Sequence, residues 1–413
     1  MVLTLPVLTL TLKRYLNYGD ITVTTGPKQF TAREMLEKLV SFPTVSSESN
    51  LELVDWVEEY LASHGVKSHR VYNQSLTKAN LYANVGPEVA GGVILSGHTD
   101  VVPVKGQAWD TDPFTVVEKD GKLYGRGTCD MKGFDALALA AVPEALKRGI
   151  KRPIQIALSY DEEVGCVGAP DMIEVMAKHL PRAAGAVIGE PSMMKTVSGH
   201  KGAFGVHTHM HGYEVHSSLI HTGVSAVMQA AKLVDWCNQM NDQNAARTPS
   251  PMATDFVPPY TTLHVGIING GTAGNITAKD CEFSVFFRCV PGESFEMWQE
   301  AYLAKVAEVE AEMKAIRPEA WIETRVTHGV PALQPETDGA AEAIVRGITG
   351  DNSVNVVSYC TEAGQYQRGG YSSIICGPGS IDQAHQANEF IEISQLEAGE
   401  QFMHRLIDHL CED

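Results

Sequence analysis

Apolar positions along this chain switch repeatedly between a helical spacing and short unbroken runs, and each switch marks an element. Thr31 and Glu34 make a Thr-x-x-Glu box ahead of Met35, Leu36 and Leu39, so a helix is predicted to open there with a reciprocal cap. Residues 51–64 carry the stripe Val54, Val57 and Leu61 and stop before Gly65, which suits the position just past a helix. Runs at 66–72, 81–85 and 93–97 read as strands, and the Ala- and Leu-rich stretch 134–147 as one helix. A strand at 154–160, a helix opening at Pro170 and a buried strand at 186–189 follow. Such alternation predicts an α/β sheet.

The character changes near His200. Strand (204–211), helix (224–241), two strands (262–268 and 281–289), helix (295–316) and strand (322–327) give the order β-α-β-β-α-β of a ferredoxin-like module. Beyond Pro331 the earlier pattern resumes with a helix at 339–348, strands at 354–359 and 373–376, and a last helix from Ser394. The expected organisation is a discontinuous α/β domain, 29–199 and 331–413, interrupted by a second domain at 200–330. The polar, Pro-rich stretch 241–259 reads as a loop.

Composition narrows the function classes. A chain of 413 residues exceeds what one hydrophobic core usually serves, which agrees with two domains. Its 50 acidic against 32 basic side chains leave a net charge of −18, which would repel phosphate backbones and anionic lipid, so neither nucleic acid nor membrane is an expected partner. The 8 cysteines include no Cys-x-x-Cys pair, which fits a reducing cytoplasm better than secretion. The apolar, Thr-rich start at 1–12 lacks a basic region before it, Lys13 and Arg14 coming after, so it is not expected to be a signal peptide. No apolar run approaches the roughly 20 residues that a spanning helix needs.

The chemistry gathers in short segments at the ends of predicted strands, where open α/β sheets build their sites. In Gly97-His98-Thr99-Asp100, alternation points His98 and Asp100 the same way, so a carboxylate there would orient a metal-bound imidazole. The glycine-rich turn 125–133 exposes Asp130 just before a helix, where helix capping is the plain alternative. Asp161-Glu162-Glu163 sets three carboxylates directly after a buried strand, either as a solvated turn or as a cation site. Glu190 ends another strand, and His385 follows the glycine-rich 377–379. Together these are two imidazoles and three carboxylates, a set suited to two zinc-like ions bridged by one carboxylate, with acids to spare for catalysis.

These segments, Ser96-Gly97-His98-Thr99-Asp100, Gly125-Arg126-Gly127 through Asp130-Met131-Lys132-Gly133, Asp161-Glu162-Glu163 and Gly189-Glu190-Pro191, resemble those of the cocatalytic zinc hydrolases. That family includes acetylornithine deacetylase, succinyl-diaminopimelate desuccinylase, aminoacylases and glutamate carboxypeptidases, and the resemblance runs through nearly all of the chain after Thr31. Tyr359-Cys360-Thr361-Glu362-Ala363, Gly377-Pro378-Gly379-Ser380-Ile381 and Gln383-Ala384-His385-Gln386 look most like the acetylornithine deacetylase branch. The resemblance implies a zinc-peptidase-like α/β catalytic domain with an inserted ferredoxin-like lid that also forms a homodimer. It implies two zinc ions, with cobalt as a substitute: His98 and Glu190 on one, Glu163 and His385 on the other, Asp130 bridging, and a cis peptide after Asp130. Glu162 becomes the general base and Asp100 the residue orienting His98. His216 would reach a neighbouring subunit's site and donate to the oxyanion. Asn275 and Arg288 would hold the substrate carboxylate, although Thr277 and Ala278 stand where relatives often carry a proline two residues after that asparagine.

The expected reaction is hydrolysis of a small-molecule N-acyl amino acid, N-acetyl-L-ornithine foremost, to ornithine and acetate in arginine synthesis. Glu362 is expected to attract the δ-ammonium by opposite charge. A desuccinylase, aminoacylase or dipeptidase would use the same chemistry. A noncatalytic metal-binding scaffold of the same fold would have no purpose for Glu162. His207, His209 and His211 share one strand face and, with no carboxylate at ligand spacing, read as sheet-surface residues rather than a further metal site. Cys129, Cys360, Met193 and Met194 read as packing.

Overall fold

The computed structural model describes residues 27–327 and 329–412. The apolar start at 1–12 and the Lys13-Arg14 pair lie outside the described residues. The first helix, Ala32–Val40, opens on the expected box: Thr31 accepts from the Glu34 main chain while Glu34 reaches back to the Thr31 N–H. Such a cap is worth about 1 kcal/mol. The second helix, Leu51–Ser63, ends with Gly65 at φ +76°, a backbone shape that glycine takes without penalty.

A six-stranded sheet organises the molecule, in the order Ser68–Tyr72, Ala79–Val85, Ile154–Ser159, Val93–His98, Gly185–Pro191, Ser373–Gly377. The last four run parallel, and the first two are antiparallel additions at one edge. The parallel strands are buried throughout, as their unbroken apolar runs require. Helices Ala32–Val40, Lys132–Ala140 and Ile393–Cys411 pack around Leu95, Ile156 and Val187 on one face. Helices Ala169–His179 and Ala363–Arg368 pack around Ile94, Ala157 and Ile188 on the other.

Close packing explains Gly189. A Cβ there would lie 1.9 Å from the Phe134 ring, so the helix Lys132–Ala140 can approach the sheet only across a glycine. That helix carries Asp130 at its entrance, and its closeness to the strands brings Asp130 to the sheet's carboxyl end.

A second sheet, of four strands, is drawn entirely from 202–326, in the order Thr262–Gly270, Asp280–Cys289, Gly202–His211, Trp321–Val326, all antiparallel. Phe204, Val206 and Met210 face helices Ala226–Ala246 and Phe295–Ile316, meeting Leu233, Tyr302 and Val309. This stretch leaves the first sheet after Gly185–Pro191 and the chain rejoins it at the neighbouring strand Ser373–Gly377. The fold is α/β.

Some local expectations are corrected. The helix expected at 134–147 is two, Lys132–Ala140 and Val142–Arg148, because Pro143 fits the first turn of a new helix but cannot continue the old one. Helix Ala226–Ala246 runs into the expected loop. Of the strand expected at 354–359, only Val356–Val357 pairs, with Gly199–His200. A small sheet of Phe390–Glu392, Lys122–Tyr124 and Val117–Lys119 had no counterpart in the sequence reading.

Candidate active site

Four parallel strands deliver side chains to one place. His98 is the last residue of its strand, Glu190 lies near the end of the next, Glu162 and Glu163 lie in the turn after Ile154–Ser159, and His385 follows the loop after Ser373–Gly377. Asp130 enters from the turn before Lys132–Ala140, and the Asp130–Met131 peptide is cis, as the resemblance implied.

Asp130 is the centre. Its Oδ1 lies 3.1 Å from His98 Nε2, and its Oδ2 lies 3.1 Å from His385 Nε2. His385 Nε2 is also 2.9 Å from Glu163 Oε2, and His98 Nε2 is 3.9 Å from Glu190 Oε1. One donor atom each from His98, Asp130 and Glu163, and likewise from His98, Glu162 and Glu190, lies within 4.8 Å of the others. The two oxygens of one carboxylate thus face two imidazoles, the arrangement a bridging ligand needs.

His98 is fixed by its other nitrogen, which donates to the main-chain carbonyl of Asp100 at 2.9 Å. That bond keeps a proton on Nδ1 and aims Nε2 at Asp130, to which it donates here and from which it would have to lose its proton to bind a metal ion. The Asp100 carboxylate, expected to orient the ring itself, stands at 3.6 Å. It accepts instead from the Glu162 and Glu163 N–H groups, at 3.1 and 3.3 Å, and from Ser46 Oγ at 2.6 Å. Asp100 therefore ties down the acidic turn.

The turn bearing Asp130 has an anchor that the sequence reading missed. Glu389, fully buried, pairs with the equally buried Arg126 at 2.6 Å. It also accepts from the N–H groups of Gly127 (3.0 Å), Cys129 (2.9 Å) and Asp130 (3.0 Å). No local pattern marks it; its only signal was a charged residue in an otherwise unassigned segment.

The electrostatics call for cations. Burial pushes the carboxyls of Glu162, Glu190 and Glu163 above their ordinary range, and nearby carboxylates raise each further. Burial also works against charge on Asp130, yet hydrogen bonds from His385 and His98 hold its carboxyl below the usual range. Hydrogen bonds to Asp130 and Glu163 push His385 up to about 10. Glu163 Oε1 is buried and has no hydrogen-bond partner among the described residues. An orphaned carboxylate oxygen in a crowd of like charge, beside two imidazoles, fits divalent ions of the zinc type.

A cleft of about 610 Å³ opens over these groups, floored by Asp130, Glu162, Glu163, Glu190 and His385 and bordered from the second sheet by Phe286 and Arg288. Arg288 Nη1 donates to Cys360 Sγ at 3.3 Å. Cys360, expected only to pack, lines the cleft; a hydrogen bond from Cys166, against the effect of burial, and the Arg288 charge bring its thiol down to about 6. Cys129 is buried and its thiol is pushed up by burial, as a packing role requires.

Three expected residues lie elsewhere. Glu362 does not border the cleft: its carboxyl is buried and accepts from Ser159 Oγ and Ser96 Oγ. His216 and Asn275 are exposed neighbours, the Asn275 carbonyl accepting from the Ser217 N–H, and neither borders this cleft.

Among the described residues no helix is long and apolar enough to cross a membrane. Residues 94–409 match the model of peptidase family M20/M25/M40. An acetylornithine deacetylase from Myxococcus xanthus is 32% identical over 92% of this chain and 97% of its own length. The fold is shared with an M20 family metallo-carboxypeptidase from Sulfolobus solfataricus, at TM-score 0.74 and 16% identity over 93% of this chain and 100% of that one. A dinuclear metal binding peptidase of the M20 family from Bacillus subtilis superposes at TM-score 0.61 and 13% identity, over 92% and 97%. With the donor cluster at the sheet's carboxyl end, these matches make the chain a member of peptidase family M20/M25/M40 and a metal-dependent hydrolase of amide bonds.

Proposed function

We propose that this protein hydrolyses N-acetyl-L-ornithine to L-ornithine and acetate, a step of arginine synthesis in the cytoplasm. The observation that carries the chemistry is Asp130, each of whose oxygens faces a different histidine. The substrate is supported by the deacetylase relatives, at 31–32% identity over 92% of this chain.

His98 and Glu190 would hold one divalent ion, Glu163 and His385 a second, with Asp130 spanning both. Zinc suits two imidazoles among carboxylates, with cobalt as a substitute. Such ions, when bound, polarise the scissile carbonyl and lower the pKa of water. Glu162 lies on the cleft floor without being needed as a ligand. It takes the proton of the attacking water, the water oxygen bonds to the acyl carbon, the C–N bond breaks, and Glu162 returns the proton to the departing amine. Arg288, at the rim, offers a planar fork to the substrate carboxylate. His216 and Asn275, exposed and not bordering this cleft, are read as serving the site of a second copy, through a lid and dimerisation domain at 200–330 inserted into a catalytic domain at 29–199 and 331–413. His216 would donate to the oxyanion there.

The test is release of the free amine, the product common to all four, from metal-loaded protein across acetylornithine, acetylmethionine, succinyl-diaminopimelate and simple dipeptides. Acetylornithine should give the highest kcat/KM, and a higher value for another compound reassigns the substrate. Glu162→Gln should abolish turnover with metal content unchanged; turnover at the wild-type rate would remove Glu162 from the chemistry.

A further inference from the structure

The second sheet carries a cluster of metal-ligating side chains apart from the cleft. His209 and His211 lie on the face of Gly202–His211 opposite Thr208 and Met210, which are buried beneath the helices. The sequence reading found no carboxylate for them. The sheet supplies one from the adjacent strand: Asp280 pairs directly with His211, and Glu282 with His209. Residues directly opposite in a sheet share a face, so these four side chains stand together.

Their geometry converges on one atom. His211 Nδ1 lies 2.8 Å from Asp280 Oδ1, and His209 Nε2 lies 3.0 Å from the same oxygen. The choice of nitrogen follows from register: the ring directly opposite Asp280 uses its near nitrogen, and the ring on the diagonal reaches with its far one. Glu282 Oε1 stands 3.9 Å from the remaining nitrogen of His209. Trp321, across the other strand boundary, holds both rings. It stacks on His211 with centroids 5.0 Å apart and planes 7° from parallel, and meets His209 edge-on at 4.9 Å. Both histidine side chains are about a quarter exposed, so the cluster is set in place yet open to solvent.

We propose that His209, His211 and Asp280 form a binding site for a borderline divalent transition metal ion, of the class of Cu2+, Ni2+ or Zn2+. Two imidazole nitrogens and one carboxylate oxygen within 4.8 Å of one another make a three-donor face. Imidazole selects these ions over Mg2+ and Ca2+. The exposed side leaves room for water or Glu282 to complete the coordination. Arg288, which borders the cleft, pairs with Ala203, eight residues along the strand from His211, so the two places are roughly 26 Å apart at about 3.3 Å per residue. The site does not rest on any reading of the cleft.

The experiment uses the untagged full chain. Equilibrium dialysis against buffered Cu2+ or Ni2+ counts bound ions, and Cu2+ electron paramagnetic resonance reports nitrogen ligands. At equal free metal the His209→Ala/His211→Ala protein should bind one ion fewer than wild type and lose one nitrogen-coordinated copper signal, with amide hydrolysis unchanged. Asp280→Asn, which keeps the side-chain shape, should weaken that ion by at least about tenfold, the floor observed for partners one step removed from a metal. It decides the matter should the double variant misfold. Equal stoichiometry and spectra in wild type and Asp280→Asn overturn the proposal.

Discussion

Replacing Glu389 with glutamine tests whether one buried carboxylate holds the turn that presents Asp130. The change keeps shape and removes charge. Oε1 can still accept from the N–H groups of Cys129 and Asp130. The new amide nitrogen, in place of Oε2, points its hydrogens at Arg126 Nη1 and the Gly127 N–H, both donors. Arg126 keeps a contact to Gln107 but loses its counter-charge in a site that is 1% exposed. Breaking a fully buried pair from one side costs about 3–5 kcal/mol. Chemical denaturation of metal-free protein isolates this loss from any contribution of bound ions, and the double variant Arg126→Met/Glu389→Gln should recover a substantial part of it. The same Glu389→Gln protein, metal-loaded below its unfolding midpoint, should show weakened metal retention and turnover. A stability loss under about 1 kcal/mol, the range of an ordinary substitution, would refute the anchoring role.

Gly189→Ala should destabilise the protein by about 1–3 kcal/mol through overpacking against Phe134, read as a shifted denaturation midpoint, and Phe134→Leu in the same chain should relieve it. Because Asp130 and Glu163 hold His385 at about 10, its ring is protonated at pH 8 in metal-free protein and must lose that proton to bind a metal ion. Calorimetric metal titrations in buffers of different ionisation heat should therefore show net proton release; none would contradict this. By the same raised value, the contact stabilises metal-free protein fully below the ordinary histidine value of about 6.5 and ceases to as pH rises through about 10. Under the proposal that His216 serves a second copy's site, co-expressed His216→Ala and Glu162→Gln chains should together regain activity that neither has alone, one complete site forming in a mixed dimer; continued inactivity would confine His216 to its own chain.

Much of the site was legible because each member ends something. His98 and Glu190 close apolar runs, Glu162 and Glu163 follow one, and Asp130 and His385 sit beyond glycine-rich turns, so local pattern marked all six. Residues that act across long separations left no such mark. Glu389 bonds to positions 259–263 residues away, and only the folded chain brings them together. Asp100 shows a subtler gap: alternation placed its side chain correctly, but which of its oxygens meets His98 depends on the backbone's path. Glu362 was assigned by charge, and its burial beneath Ser159 and Ser96 was not readable from its neighbours in the chain. For the second sheet, strand order β-α-β-β-α-β was readable, while the pairing that sets Asp280 beside His209 and His211 was not, because register depends on both strands. The strands of the small sheet, three residues each, are too short to show alternation.

The crossing between strands Gly185–Pro191 and Ser373–Gly377 also fixes a sequence of events in the living chain. A ribosome makes His98, Asp130, Glu163 and Glu190 early, then the whole of 202–326, and only afterwards His385 and Glu389. Until those last residues emerge, a nascent chain carries crowded acids with neither their closing imidazole nor the clamp on the Asp130 turn. A product truncated before His385 therefore lacks the imidazole that faces Glu163 and the second oxygen of Asp130, and with it the donor set proposed for the second ion.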